Sequence, residues 1–267
     1  DSIGGTPESV TEDCTDSAGG WSYDAGTATL TLDGFQGEYI EANGDINIVL
    51  KGKNKITISA ESTEGIKSTG KVTIDDTISP VQDCLDIYCN DGTESVSMIY
   101  TGGFGADYAT YIVGGTVNLV EENTRRRYVT GISRWAYVEN DASLNINLSA
   151  DGGRNGAAAL LNLNTSGDTS FRVNSLSSSS YGVYSLDKKG SGDTALTAEG
   201  KAKNIGNKFT VGSTGNTGKI TIKGYLTDFT PYRKKNRIVG VDNFLWSYFT
   251  ENPQTGGLCR CVCDSLG

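Results

Sequence analysis

Short stretches of alternating apolar and polar residues recur along this chain at a nearly constant interval, and that interval limits the possible folds more than any other feature. Leu30-Thr31-Leu32 is followed by Ile46-Asn47-Ile48-Val49-Leu50, Val72-Thr73-Ile74, Val96-Ser97-Met98, Val117-Asn118-Leu119, Leu144-Asn145-Ile146-Asn147-Leu148, Phe171-Arg172-Val173, Ala195-Leu196-Thr197 and Ile220-Thr221-Ile222. Centred on positions 48, 74, 98, 119, 146, 172, 196 and 221, the steps are 26, 24, 21, 27, 26, 24 and 25 residues. A second series runs out of phase with the first; it includes Ile40-Glu41-Ala42, Gly65-Ile66-Lys67, Gly131-Ile132-Ser133 and Gly182-Val183-Tyr184. Polar turns such as Asn43-Gly44-Asp45 and Ser166-Gly167-Asp168 separate the two.

Alternation with a period of two buries every second side chain of an extended strand. Gly, Asn and Asp supply the turn conformations. Each unit is therefore strand, tight turn, strand, loop. So short a unit cannot close a core alone, but stacked on its neighbours it can. The expected fold is all-β: a right-handed parallel β-helix of about eight coils, with rungs about 4.8 Å apart. Inward aliphatics at 48, 74, 98, 119 and 146 should then stand one above another. A β-sandwich is the alternative, since it also shows short strands at regular spacing. It does not require two series to keep the same phase throughout.

The repeat divides the chain. Residues 1–20, rich in Gly, Ser and acids, read as a flexible N-terminal arm, and residues 21–224 as the β-helix. Residues 225–251 break the repeat and carry Phe229, Phe244, Trp246, Tyr248 and Phe249, as an aromatic C-terminal cap over an open solenoid end would. Residues 252–267 form a Cys-rich tail.

Composition removes several functions. With no histidine, the chain can form neither a Ser-His-Asp triad, a Cys-His pair nor a His-ligated metal site. A balance of 23 basic against 32 acidic residues, net −9, opposes nucleic acid as a partner. Apolar runs are too short to span a membrane. No cofactor is expected; Ca²⁺ is conceivable for the carboxylates, but nothing in the sequence supports it. Six cysteines fit an oxidising compartment, so the expected location is extracellular or at a cell surface. A sequence opening at Asp1 without a leader is expected of a processed mature protein or of an artificially trimmed chain.

The words of the first two units are more specific than the period. Gly20-Trp21-Ser22-Tyr23-Asp24, then Thr29-Leu30-Thr31-Leu32, then Ile40-Glu41-Ala42-Asn43-Gly44-Asp45-Ile46-Asn47-Ile48-Val49-Leu50-Lys51-Gly52-Lys53-Asn54 resemble the β-helix repeats of large surface proteins from Gram-positive gut bacteria. The resemblance covers residues 20–74. It implies a parallel β-helix and a surface location. Some relatives are called carbohydrate-binding, and the family shares no defined catalytic residues.

Three constellations carry possible chemistry. Tyr108, Tyr111, Tyr128, Trp135 and Tyr137 fall close together near Arg125, Arg126 and Arg127. Flat rings stack on sugars and arginines bind acidic ones, so Tyr108, Tyr111, Tyr128 and Trp135 with the three arginines are the candidate acidic-glycan site. Asp75-Asp76, Asp83, Asp86 and Asp91, with Arg134 and Arg154 on later coils, are the nearest approach to a polysaccharide-cleaving site, although such spacing is the ordinary pattern of solvated turns. Cys14, Cys84, Cys89, Cys259, Cys261 and Cys263 are the candidate disulfide or assembly residues; six cysteines allow fifteen pairings. The alternating tail cysteines face one way on an extended strand and need partners elsewhere, and Cys14 of a second protomer stacked head to tail is one. Asn252-Pro253-Gln254-Thr255-Gly256 resembles a sortase sorting pentapeptide, without the hydrophobic anchor that should follow, and reads equally as a Pro/Gly linker after the cap. The basic run at 233–237 reads as a charged loop of the cap. The expected function is non-enzymatic: a secreted structural or adhesive β-solenoid, polymerising head to tail with disulfide cross-links. A carbohydrate-binding adhesin module is the first alternative, and a polysaccharide lyase or hydrolase the second.

Overall fold

The computed structural model describes residues 2–3, 10–76, 83–124, 128–150, 154–156, 160–211, 218–224 and 246–249. Among them the chain is all-β, with a single 3₁₀ turn at Ala106–Tyr108. Its strands form three long, mainly parallel sheets of ten, nine and six strands, here called I, II and III. The chain visits them in rotation. Thr29–Asp33 lies in sheet I, Gln36–Gly37 in II and Ile40–Ala42 in III; Ile46–Lys51 then returns to I beside Thr29–Asp33. Lys53–Ile58 and Glu64–Ser68 continue into II and III. This order and these parallel registers fit a parallel β-helix.

Most inward apolar residues of all three sheets belong to one hydrophobic cluster, and Val173, Ala198 and Ala202 form a second, small one. The five aliphatics at 48, 74, 98, 119 and 146 are all buried, but they do not form one column. Ile48 pairs with Ile74 in sheet I, Leu119 pairs with Ile146 in sheet II, and Met98 lies on sheet III. In sheet I the partner of Ile74 is Ile112, because the intervening coil is lengthened by the loop at 102–109. Counting in steps of about 25 residues therefore slipped from one face to the next. As far as Arg154–Gly156 each unit contains three strands, not two; beyond it the chain alternates between sheets I and II. Period-two alternation is the same on every face, so hydrophobicity cannot report which face a strand occupies. Two further centres shift by one residue for the same reason: Phe171 and Val173 are buried while Arg172 points outward, and Ile220 and Ile222 flank an outward Thr221.

Side chains at the corners tie successive coils together. Buried Asn54 accepts a bond from the Phe35 N–H (2.9 Å) and donates to the carbonyls of Lys51 (3.2 Å) and Cys84 (3.2 Å), spanning three coils. The Gly-Asp turns act likewise. The Asp45 carboxylate accepts the Lys71 N–H (2.8 Å), that of Asp168 the Asp193 N–H (2.9 Å), and that of Asp193 the Lys219 N–H (2.8 Å).

Both ends of the described structure depart from simple parallel rungs. Cys14–Asp16 runs antiparallel to Trp21–Asp24, which runs antiparallel to Thr29–Asp33, extending sheet I with Trp21 buried beneath. Ser2–Ile3 pairs antiparallel with Ile40–Ala42. At the other end Trp246–Phe249 adds a parallel strand to Ile220–Lys223 of sheet II. Beyond that strand, the cap at 225–251, the tail with Cys259, Cys261 and Cys263, the Asn252 to Gly256 segment and the basic run at 233–237 lie outside the described residues. So do Arg125, Arg126 and Arg127.

Candidate functional site

The sequence-predicted aromatics separate into two groups. Tyr111 and Tyr137 are neighbours in the register of sheet I, both outward, and their rings stack at 4.7 Å and 7°. Burial pushes both phenols above their ordinary pKa, and carboxylates nearby push the same way. Each ring covers a face of the other, and the Tyr111 hydroxyl donates to the Ala106 carbonyl (3.4 Å). The Tyr108 ring lies against Gly103, where an added Cβ would sit 2.4 Å from it. Tyr108 and Tyr111 are thus tied to the 102–109 loop and the face of sheet I. Tyr128 and Trp135 belong to another surface.

That surface is the corner between sheets III and I. Tyr128–Ile132 is a strand of III and Trp135–Asn140 the next strand of I, so the turn at Ser133-Arg134 places Trp135 around the corner from Tyr128. A depression of about 290 Å³ lies there, lined by Tyr100, Phe104, Ser133, Arg134, Trp135 and Tyr181 among others. Tyr181 also lines a second depression of about 580 Å³, with Tyr128, Tyr184, Lys203 and the serines at 177–180. The two form one aromatic trough running across successive coils. From the coil of Tyr100 to that of Lys203 is four rung steps, roughly 19 Å at the spacing of paired strands.

Tyr181 is the floor of the trough, and glycines set its position. A Cβ on Gly156 would lie 2.5 Å from the Tyr181 ring, and one on Gly206 would lie 3.1 Å from it and 3.0 Å from the Tyr184 ring. With no Cβ at either position, the ring rests against the backbone of Gly156 and Gly206. Phe104 stands at the rim, 72% exposed, with the Arg134 guanidinium 4.0 Å from its centroid. Residue types alone offer no signal for Tyr100, Phe104, Tyr181 and Tyr184 as a group, since they meet only through coiling; the glycines flanking Phe104 are the one local cue.

The carboxylate candidates disperse. Asp83 is buried, with its Oδ1 accepting the Gly52 N–H (2.6 Å). Asp86 faces outward on sheet II and begins a side-chain ladder: Asn118 donates to Asp86 (2.6 Å), Asn145 to Asn118 (2.9 Å) and Ser170 to Asn145 (2.6 Å). Asp91 accepts its neighbour's N–H at Gly92 (3.0 Å). Asp76 sits beside Asp75, Asp83 and Asp141, and partial burial, then these like charges, raise its pKa. Among the described residues no three His, Cys, Asp or Glu side chains converge as a metal ligand set.

Cys14 is exposed, Cys84 half-buried and Cys89 buried. Cys84 and Cys89 lie on one extended strand, Cys84–Cys89, whose ends are roughly 16 Å apart, too far for a disulfide between them. Lys188 is fully buried at the end of a sheet I strand and donates to the Gly190 carbonyl (2.5 Å). Burial lowers its pKa to about 8, against the opposing pull of Asp193 and Asp168.

No protein-family model matches the chain, and no curated protein or solved structure is significantly similar to it.

Proposed function

We propose that this chain is a non-enzymatic, extracellular adhesive module: a right-handed parallel β-helix of about eight coils that binds carbohydrate along its aromatic corner. The observation that carries the reading is the trough itself. Phe104 and Tyr128 are left in water beside Trp135, Tyr181 and Tyr184 on the outside of an otherwise alternating, polar-faced solenoid. Apolar rings gathered on a surface mark a binding site, and flat rings match the apolar faces of sugars. The resemblance of residues 20–74 to Gram-positive surface proteins agrees with that role and location. Binding is favoured over hydrolysis because the described residues lining the trough include no Asp or Glu, whereas most glycoside hydrolases use a carboxylate pair.

A glycan array tests the proposal. The wild-type chain should bind at least one polysaccharide, and Trp135→Ala and Tyr181→Ala should each weaken that binding about tenfold or more, the scale of one lost stacking contact. An array with no ligand, or variants that bind as well as wild type, would overturn it.

Head-to-tail assembly is the second reading, favoured by one observation: Cys14 is exposed on the outermost strand of sheet I, where a second protomer's tail could reach it. Mass spectrometry of unreduced protein decides it. A Cys14 peptide linked to Cys259, Cys261 or Cys263 in a covalent multimer supports assembly; a chain that runs as a monomer without reductant excludes it.

A further inference from the structure

Arg134 carries two local costs at one position. Its backbone is left-handed, with φ of 75°, one of three non-glycine residues with positive φ among those described. That conformation is strained for a residue that carries a Cβ. Its Nε is buried with no hydrogen-bond partner among the described residues, and so is the Oγ of the adjacent Ser133. Buried polar atoms are nearly always paired, and orphans call for an explanation. Both residues line the Trp135 depression, and Arg134 makes no ion pair with any described residue, in a chain of net charge −9. The left-handed turn carries the guanidinium onto Phe104, at the rim of the trough.

We propose that Arg134 and Ser133 form an anion receptor within the trough, which makes the ligand an acidic polysaccharide whose carboxylate supplies the acceptor these donors lack. This rests on the carbohydrate reading above and adds its substrate class and specificity residue. A uronate fits the pieces: its ring lies on Trp135 or Phe104 while its planar carboxylate meets the guanidinium, the geometry in which arginine exceeds lysine. The trough's length across four rung steps suits a chain of several sugars, not a single one. A sulfate ester presents the same anionic oxygens, so the test includes one.

The experiment measures binding of the whole chain by calorimetry to three polymers: polygalacturonate, fully methyl-esterified polygalacturonate, and dextran sulfate. Salt is held at 0.15 M, where the Debye length of about 8 Å screens the chain's net charge. Wild type should bind polygalacturonate at least tenfold tighter than its methyl ester. Arg134→Gln should erase that preference while keeping the weaker binding to the ester. Arg134→Gly should erase it too and yet melt no lower than wild type, because glycine relieves the left-handed backbone; a merely structural arginine would lose stability instead. Preference for dextran sulfate that disappears in Arg134→Gln supports the receptor with sulfate as the group recognised. Equal binding of the acid and ester forms by wild type, or an undiminished preference in Arg134→Gln, overturns the inference and leaves the carbohydrate reading intact. Binding to none of these polymers, nor to any glycan on the array, overturns both.

Discussion

Lys188 offers a test of the solenoid core through pH. Its side chain is fully buried and its amine donates to the Gly190 carbonyl, with the Asp168 and Asp193 carboxylates nearby. Desolvation outweighs those partners and lowers the pKa from 10.5 to about 8. Between those values the unfolded chain binds the proton that the folded chain has released, so stability rises with pH. The burial penalty is fully present below about pH 8 and is relieved as pH climbs towards 10.5. Taken at face value the depression is worth roughly 3 kcal/mol. The amine sits beside a turn and its long stem can swing towards water, which reduces the expected effect to about 2 kcal/mol. Lys188→Met removes the titration. It also removes the bond to Gly190, but that loss does not vary with pH and shifts only the offset. Urea unfolding of both proteins from pH 7 to pH 10 should show wild type gaining about 2 kcal/mol on the variant. Asp193→Asn removes an opposing charge, so it should depress Lys188 further and widen the window at its lower edge. A difference that stays flat within about 0.5 kcal/mol, or that shrinks in the opposite direction, would refute the assignment of Lys188 as a desolvated interior amine.

Other consequences can be checked separately. Asn54→Ala strands the Phe35 N–H and the Cys84 carbonyl in the interior and should cost about 3 kcal/mol in urea unfolding, with Asn54→Asp no better because a carboxylate cannot donate; a loss under about 1 kcal/mol contradicts the corner role. Gly206→Val sets a branched side chain where the Tyr181 and Tyr184 rings now rest, so it should leave the circular dichroism spectrum intact while reducing glycan binding about tenfold; unchanged affinity counts against Tyr181 as the trough floor. In reduced protein, timed alkylation read by mass spectrometry should modify Cys14 first and Cys84 more slowly, since burial and Asp86 raise its thiol pKa, with Cys89 reacting only on unfolding. Rapid native labelling of Cys89 would show that its coil is open.

Much of this architecture follows from the sequence because its causes are local. Alternation in Ile46-Asn47-Ile48-Val49-Leu50 dictates a strand with one buried side, and Gly44-Asp45 dictates a turn. A short period repeated without helical segments leaves parallel stacking as the economical way to share a core. Number of faces, register and surface neighbourhoods are different in kind. The same alternation appears on sheets I, II and III, so only the lengths of turns and loops decide that Ile74 meets Ile112 and not Met98. Adjacency in sequence likewise overstated the kinship of Tyr111 with Trp135: the chain turns a corner between them, and Tyr111 spends its ring on Tyr137. Coiling instead carries Tyr181 and Lys203 back beside Tyr128, and places Arg134 over Phe104. The sequence alone thus determined which segments extend and which side of each is apolar, because those depend on neighbours one or two residues away. Tertiary structure alone decided which rings share a surface and where an arginine has no acceptor among the described residues, because those depend on residues a full coil apart.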